Sequence, residues 1–220
     1  MRASKPFGVP IAIWILFFTF ADIMLAAPRI DLWVSGAFFS PETGFELREQ
    51  PLERLLYWSV NVATTSVVVF LGGLWWFRRV PGRKLLYLLA VLILVPGLLV
   101  NSTLKEHWGR ARPVQVMEFD GTRAFSPPFV PSDQGGGSFS SGHAAAAAYL
   151  VVVAAVLAGC RSWWVAAALI YSLMVGFVRI AAGGHFLSDV VTSFFLVLIG
   201  ALMLYRLFFG RDADCRAAPD

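Results

Sequence analysis

Six long apolar stretches constrain this chain more than any other feature of its sequence. A helix needs about 20 apolar residues to cross the hydrocarbon core of a bilayer. Charged residues make up 15% of the chain and hydrophobic ones 58%, whereas a soluble domain carries about 25% charged residues. The sequence therefore predicts an all-α polytopic membrane protein, and it excludes an ordinary soluble domain and a disordered chain. The predicted spans are about 8–27, 57–77, 85–104, 144–159, 163–182 and 186–205.

The length of 220 residues suits one helical bundle, so we expect a single domain over 1–220. The connection 106–142, between the third and fourth predicted helices, is far longer than an ordinary loop. Loops of that length without clear structure are usually functional or disordered. We therefore predict that this connection is an outer loop that carries part of an active site.

The first apolar stretch has two interpretations. Arg2 and Lys5 precede it, and the small residues Ala26 and Ala27 end it, as in a cleaved signal peptide. About 20 apolar residues is long for a signal sequence, however. A retained helix is favoured, and it gives an even number of spans.

Positive charge in the loops predicts the orientation. The loop 78–84 carries four positive charges in seven residues, and the C-terminal tail adds Arg206, Arg211 and Arg216. Short loops rich in Lys and Arg stay in the cytoplasm. Six spans then send the loop 106–142 to the outer side of the membrane.

Other features of the composition say little about partners. The net charge of +4 is small and is spread over short loops. Nucleic-acid binding would require a clustered basic face, so we exclude it. Cys160 and Cys215 both fall on the predicted cytoplasmic side, where we expect reduced thiols.

Ionisable residues gather at the predicted outer side, although charge near membrane depth is costly and usually faces a partner or a cavity. All three histidines of the chain are among them. The set comprises Lys105, His107, Arg110, Arg112, His143, Arg179, His185 and Asp189. Each of these positions has a structural and a functional interpretation.

Two of these groups have simple structural explanations. Lys105 and Arg112 could be the basic flank of a helix end, with the charges reaching toward water. Ser141 directly before an apolar helix is a typical N-cap. Yet a helix N-terminus with Ser and Gly142 also binds anions well, and His143 would lie beside any anion held there.

The third group comes late in the chain. His185 and Asp189 are four residues apart, so on a helix they share a face. They could be a buried polar pair that satisfies itself, or a carboxylate that fixes the tautomer of an imidazole. Arg179 lies across two glycines from His185, and its fork of N–H donors matches phosphate oxygens.

Together these groups predict a site for a phosphate ester. Cations and a helix N-terminus would bind the dianion and stabilise charge on its oxygens. One histidine could attack phosphorus, and the other could protonate the leaving oxygen. Two histidines without a third ligand or an acidic cluster favour a mechanism without metal or other cofactor.

These residues resemble the signature of the type 2 phosphatidic acid phosphatase (PAP2) superfamily. Its first piece, Lys, six residues and Arg-Pro, matches 105–113, and its third piece matches Arg179, His185 and Asp189. The second piece, Pro-Ser-Gly-His, matches 140–143. The chain departs from the signature at two supporting positions: Ser140 replaces Pro, and Val178 replaces Ser.

The resemblance implies a role for each matched residue. His185 would be the nucleophile that becomes phosphohistidine, Asp189 its orienting carboxylate, and His143 the general acid. Arg110 and His107 lie outside the signature, and they either assist with a second phosphate or simply flank the site. The implied phosphate-binding residues are Lys105, Arg112, Ser141, Gly142 and Arg179.

The resemblance also implies a setting. Members of this size act on lipid phosphates in bacterial envelopes, so we expect an inner-membrane enzyme whose site faces the periplasm. The loop sequences look most like the group that includes lipid A phosphatases. Undecaprenyl pyrophosphate, phosphatidylglycerol phosphate and phosphatidic acid are alternative substrates, and transfer of the phosphate to another lipid is an alternative reaction.

Two further alternatives remain. A lipid transporter or flippase could use the cationic residues without chemistry, although binding alone does not need two histidines with separate roles. A haloperoxidase shares the resemblance, but six membrane helices argue against it. The oligomeric state stays open.

Overall fold

The computed structural model describes residues 5–210 and is mostly helical, as predicted. A small antiparallel hairpin pairs β1 (Phe39–Ser40) with β2 (Gly44–Phe45). The helices are α1 (Ile11–Ala26), α2 (Arg29–Gly36), α3 (Pro51–Trp76), α4 (Gly82–Leu92), α5 (Lys105–His107), α6 (Gly142–Ala158), α7 (Trp163–Ala181) and α8 (Leu187–Phe209). A π-helical segment, Ile93–Leu104, joins α4 to α5, so that 82–107 is continuous helix.

The largest shift from the predicted bounds is at α3, which begins at Pro51 rather than at residue 57. Proline fits the first position of a helix because its missing N–H would have no partner there. Glu53 in the first turn adds a favourable charge at the N-terminus. These six residues are polar enough to escape a search for apolar stretches.

The chain is a multi-pass membrane protein, although six spans are not confirmed. By length and composition, α3, the helix 82–107, α7 and α8 could each cross a membrane. The pair α1 and α2 passes the same test together but is bent by 85°, and α6 has only 17 residues. Large apolar side chains face outward along these helices, as in contact with lipid: Leu55 is 67% exposed, Trp58 64% and Trp76 76%.

Four residues named in the sequence analysis lie outside the described residues: Arg2, Arg211, Arg216 and Cys215. Cys160, in the turn between α6 and α7, is disulfide-bonded. The expectation of a reduced thiol at Cys160 is therefore wrong, and its disulfide is typical of an oxidising compartment rather than of the cytoplasm.

The core of the bundle forms around α6. Ala144, Ala145 and Ala147 are fully buried, and small residues of this kind let neighbouring helices approach closely. Further along α6, Tyr149 packs with Tyr87 of α4 in one apolar cluster. This packing holds α4, α6 and α8 together beneath the polar end of the bundle.

The polar end is where α5 and α7 end and where α6 and α8 begin; we call it the site end. The loop 108–141 covers it and folds back on itself. The Ser138 N–H donates to the Arg110 carbonyl at 3.0 Å, and the Gly136 N–H donates to the Gly109 carbonyl at 2.9 Å. These two bonds join the two sides of the loop to each other.

Candidate active site

Five of the predicted residues come together at the site end. Lys105 lies at the end of the long helix, Arg112 in the loop, and Arg179 in the last turn of α7. The charges of all three act on His143, and those of Arg179 and Arg112 also act on His185. Side chains from five separate places in the chain therefore lie close enough to interact through their charges.

His185 lies in the turn between α7 and α8 and is only 2% exposed. Its Nδ1 lies 2.7 Å from the Ser138 carbonyl oxygen. Since a carbonyl can only accept, Nδ1 carries the hydrogen and Nε2 has the free lone pair. Burial, and then the charges of Arg179 and Arg112, hold the pKa of His185 well below its ordinary value. The imidazole is therefore neutral and able to act as a nucleophile.

Asp189 does not bond directly to His185. Its Oδ2 is 4.0 Å from Nδ1 of His185, too far for a hydrogen bond. Oδ2 instead accepts from the Ser138 Oγ at 2.6 Å and from the Phe186 N–H at 2.9 Å, and Oδ1 accepts from Arg110 at 2.5 Å. Asp189 is thus linked to His185 through Ser138, whose hydroxyl donates to Asp189 and whose carbonyl oxygen accepts from His185.

His143 is the second residue of α6, and its ring packs against Tyr57 with 4.1 Å between ring centroids. Its Nε2 is buried and has no hydrogen-bond partner among residues 5–210. Buried polar atoms are almost always paired in folded proteins, so an exception of this kind indicates a place for a ligand.

Ser141 and Gly142 form the start of α6. The Ser141 Oγ accepts from the Ala144 N–H at 3.4 Å, so Ser141 is an N-cap. A Cβ atom at position 142 would overlap the side chain of Asn101, which packs against the backbone there. Glycine is therefore required for packing at this position, whatever else its N–H does.

Arg179 is the most constrained of the three cations. Its Nη1 donates to the Glu53 carboxylate at 2.6 Å, and its guanidinium lies 5.1 Å from the centre of the Tyr57 ring. A Cβ atom at position 184 would overlap the guanidinium, so the missing side chain of Gly184 leaves room for Arg179. The Nε of Arg179 is buried without a partner among the described residues, which leaves one edge of the fork for a ligand.

Lys105 and Arg112 are half-buried. Neither side chain has a hydrogen bond or an ion pair with any described residue. Their donors are therefore available to an incoming anion, together with the free edge of Arg179.

Arg110 and His107 have different surroundings. Arg110 is 0% exposed, and its guanidinium donates to Ser126, Ser188, Asp189 and Asp31. It lies beneath the site and supports it from there. His107 is exposed, with its Nδ1 3.0 Å from the Thr103 carbonyl oxygen. For both residues the structure favours the flanking interpretation over binding of a second phosphate.

Four residues of the site were missed by the sequence analysis. Asp31 and Ser138 belong to the surroundings of Asp189, and Glu53 and Tyr57 to those of Arg179 and His143. Glu53 and Tyr57 are four residues apart, so one face of α3 serves both the cation and the imidazole. Glu53 precedes the predicted span, and neither Asp31 nor Ser138 lies at a distinctive spacing from the matched residues.

The arrangement suits an anion rather than a metal ion. Within residues 5–210, no three His, Cys, Asp or Glu residues are grouped as metal ligands. The free groups are cationic or imidazole donors. Such a set binds phosphate oxygens and places a neutral imidazole beside phosphorus.

Comparisons with known proteins agree with this chemistry. The model of the PAP2 superfamily matches residues 83–213. The chain is 32% identical over 208 residues to the lipid A 4'-phosphatase of Francisella tularensis subsp. novicida, covering 89% of this chain and 90% of that protein. It is 36% identical over 132 residues to the lipid A 4'-phosphatase of Rhizobium leguminosarum, covering 58% of this chain and 57% of that protein.

The fold also has a solved counterpart. The crystal structure of a transmembrane PAP2 type phosphatidylglycerolphosphate phosphatase from Bacillus subtilis superposes with a TM-score of 0.59. The sequences are 24% identical, and the similarity covers 92% of this chain and 94% of the other. At this identity the likeness concerns the fold alone.

Proposed function

Because the chain belongs to the PAP2 superfamily, we propose that it is a membrane lipid phosphatase that hydrolyses a phosphate monoester of lipid A. The observation that carries the proposal is the pairing of a neutral His185 with three cations and a second imidazole. The substrate follows from the relatives, which are named as lipid A 4'-phosphatases.

In the first step, Nε2 of His185 attacks phosphorus and the bond from phosphorus to the lipid oxygen breaks. His143 gives its proton to the departing oxygen, so a lipid alcohol leaves and phosphohistidine remains. Lys105, Arg112 and the free edge of Arg179 hold the phosphate oxygens. The hydrogen bond from Nδ1 to Ser138 keeps the imidazole in the reactive tautomer.

In the second step, His143 takes a proton from water as the water attacks phosphorus. The bond between phosphorus and Nε2 breaks, inorganic phosphate leaves, and His185 returns to its neutral form. His143 regains the proton that it needs for the next cycle. Another lipid hydroxyl in place of water would make the enzyme a phosphotransferase, and the product analysis below separates the two reactions.

An open groove beside the site supports a lipid substrate. Its volume is about 850 Å³, and its lining includes Phe38 and Phe39 of the hairpin, Pro51 of α3 and Phe177 of α7. Its lining residues on α3 and α7 lie within two positions of Glu53 and of Arg179 along the chain. The apolar part of a lipid could lie there while its phosphate reaches His185.

We also propose that the protein lies in a bacterial inner membrane with the site facing the periplasm. The basic loop 78–84, at the opposite end of the bundle, supports this orientation, whereas the disulfide at Cys160 weighs against it. Fusions of the C-terminus to green fluorescent protein and to alkaline phosphatase test the orientation. A fluorescent first fusion and an inactive second one are expected; the reverse would place the site in the cytoplasm.

Phosphate release by purified protein tests the proposed reaction. We expect release from lipid A in detergent with EDTA present, no detectable turnover by His185→Ala, and a loss of about 10²- to 10⁴-fold for His143→Ala. His107→Ala is the matched control, because this histidine lies outside the site. Acid-labile phosphate should appear on the wild-type protein after rapid quenching.

Three results would contradict parts of the proposal. Full activity of His185→Ala would exclude the phosphohistidine route. Activity only on phosphatidylglycerol phosphate, undecaprenyl pyrophosphate or phosphatidic acid would exclude lipid A as the substrate. A phosphorylated lipid product without free phosphate would identify a phosphotransferase.

A further inference from the structure

Asp31 is a carboxylate at the site end that no signature motif contains. It lies in the first turn of α2 and is 0% exposed. Its Oδ1 accepts from the Ser188 N–H at 2.9 Å, and its Oδ2 accepts from the Ser188 hydroxyl and from Arg110 at 2.8 Å. Asp31 therefore caps the N-terminus of α8 from another helix.

Arg110 joins this carboxylate to Asp189. Its Nη2 donates to Asp31, and its Nη1 donates to Asp189. Every described contact of the two carboxylates is with a donor: Arg110, two serine hydroxyls and two backbone N–H groups. Since all of these partners can donate, the arrangement suits two charged carboxylates that share one guanidinium.

The charges of the three residues do not cancel. Arg110 contributes one positive charge and the two carboxylates two negative charges, which leaves one negative charge beneath His185. Without Asp31, Arg110 and Asp189 would form a neutral pair. Asp31 thus balances Arg110 and leaves the charge of Asp189 available to the imidazole 4.0 Å away.

This remaining charge matters when His185 reacts. Attack through Nε2 gives the ring a positive charge, while Nδ1 keeps its hydrogen on the Ser138 carbonyl. The charges of Arg179 and Arg112 oppose that charge. A net negative charge on the other side of the ring stabilises it.

We propose that Asp31 is a positioning residue for the reaction: through Arg110 and Ser188 it holds the start of α8 and keeps the charge of Asp189 directed at His185. This inference rests on the proposed phosphatase function. It assigns a role in the chemistry to α2, which contributes none of the cations proposed to bind phosphate.

The test uses two variants of the full chain. Asp31→Asn keeps the shape but removes the charge. We expect kcat to fall about 10- to 100-fold, the loss found when the hydrogen-bond partners of metal-binding histidines are replaced. Inhibition by inorganic phosphate should stay unchanged, because Lys105, Arg112 and Arg179 are untouched and phosphate binding forms no bond to Nε2. Asp133→Asn, an exposed aspartate in the loop 108–141, is the matched control.

The double variant Asp31→Asn with Arg110→Gln distinguishes an effect of the charge of Asp31 from a purely structural role. It restores a net negative charge at Asp189, so its kcat should exceed that of Asp31→Asn. A purely structural role predicts a double variant no better than the single one. If Asp31→Asn does not fold, the double variant alone decides, and a kcat within about tenfold of wild type is expected.

The outcomes distinguish this inference from the proposed function. Wild-type protein without phosphate release from any lipid would contradict both. Active wild-type protein with an equally active Asp31→Asn variant, or with a double variant no better than the single one, would overturn only the role of Asp31. A large change in the inhibition constant of inorganic phosphate for Asp31→Asn would also overturn it.

Discussion

Arg110 and Arg112 are two residues apart in the same loop, yet they belong to two very different clusters of charge. Arg110 is fully buried, and its guanidinium is shared among two carboxylates, a hydroxyl and a carbonyl. Arg112 is half-buried, and its side chain has no partner among the described residues. We call the first set, Asp31, Arg110, Ser188 and Asp189, the paired cluster, and the second, Lys105, Arg112 and Arg179, the open cluster.

The difference follows from the cost of removing charge from water. A charge that is fully buried must be paired and hydrogen-bonded, because an unpaired one costs several kcal/mol. A cation with access to water can keep its donors free until an anion replaces that water. The presence of partners therefore separates cations that support the fold from cations that bind a ligand, which the residue type alone does not do.

Arg179 shows that one side chain can do both. Glu53 fixes one edge of its fork, and the other edge keeps a buried N–H without a described partner. The guanidinium is thus held in place before an anion arrives, so less freedom is lost on binding.

The largest effect is expected from breaking the paired cluster. Arg110→Gln leaves two buried carboxylates facing each other, and removing one partner of a buried ion pair costs about 3–5 kcal/mol. The free energy of unfolding in detergent measures this loss. Arg112→Gln should change the same quantity by less than about 1 kcal/mol. Equal stabilities of the two variants would contradict the distinction between the clusters.

A smaller effect, on activity rather than on stability, is expected from the open cluster. Arg112→Gln should lower kcat/KM by about 10²- to 10³-fold, the range for loss of one donor to a developing anion. Steady-state phosphate release from lipid A measures it. Arg123→Gln, in the same loop, is the control that should retain activity. Unchanged kcat/KM in Arg112→Gln would remove this residue from the site.

The smallest effect concerns His185, which lies between the two clusters. Its pKa is held well below the ordinary value by burial and by the cations of the open cluster. The ring should therefore stay neutral at pH 6.5, where an ordinary histidine is about half protonated. Nitrogen chemical shifts of ¹⁵N-histidine-labelled protein measure this, with His107→Ala and His143→Ala used to assign the signals.

The sign of the pH effect on stability follows from the same shift. As the pH falls below about 6.5, the unfolded chain takes up a proton at His185 and the folded protein does not, so the folded state loses stability. A ring already protonated at pH 6.5 would show that the paired cluster, and not the open one, dominates the field at His185.

Much of the fold was predictable from the sequence because lipid exposure requires long apolar helices. Each predicted span has an apolar helix at its place, and α7 agrees to within one residue. The bend between α1 and α2 and the hairpin fall in the connection 28–56, where no periodic pattern marks them. The number of complete spans was less predictable, because α6 is short and α1 ends in an 85° bend.

The site was predictable in part for a different reason. Residues such as His185 and Asp189 are close in the sequence, so their spacing carries information about shared faces and turns. Their partners come from far along the chain: Asp31 lies 158 residues before Asp189 and Glu53 lies 126 before Arg179. No local spacing links such pairs, and only the folded structure shows why Arg110 and Arg112 differ.

The first two turns of α3 have a further consequence. Glu53 and Tyr57 face Arg179 and His143, while Leu55 and Trp58 of the same turns project outward. The hydrocarbon of the membrane and the groups that handle phosphate are therefore separated by the width of one helix. Because Glu53 and Tyr57 are fixed to this helix, any movement of α3 in the bilayer also moves the contacts of Arg179 and His143.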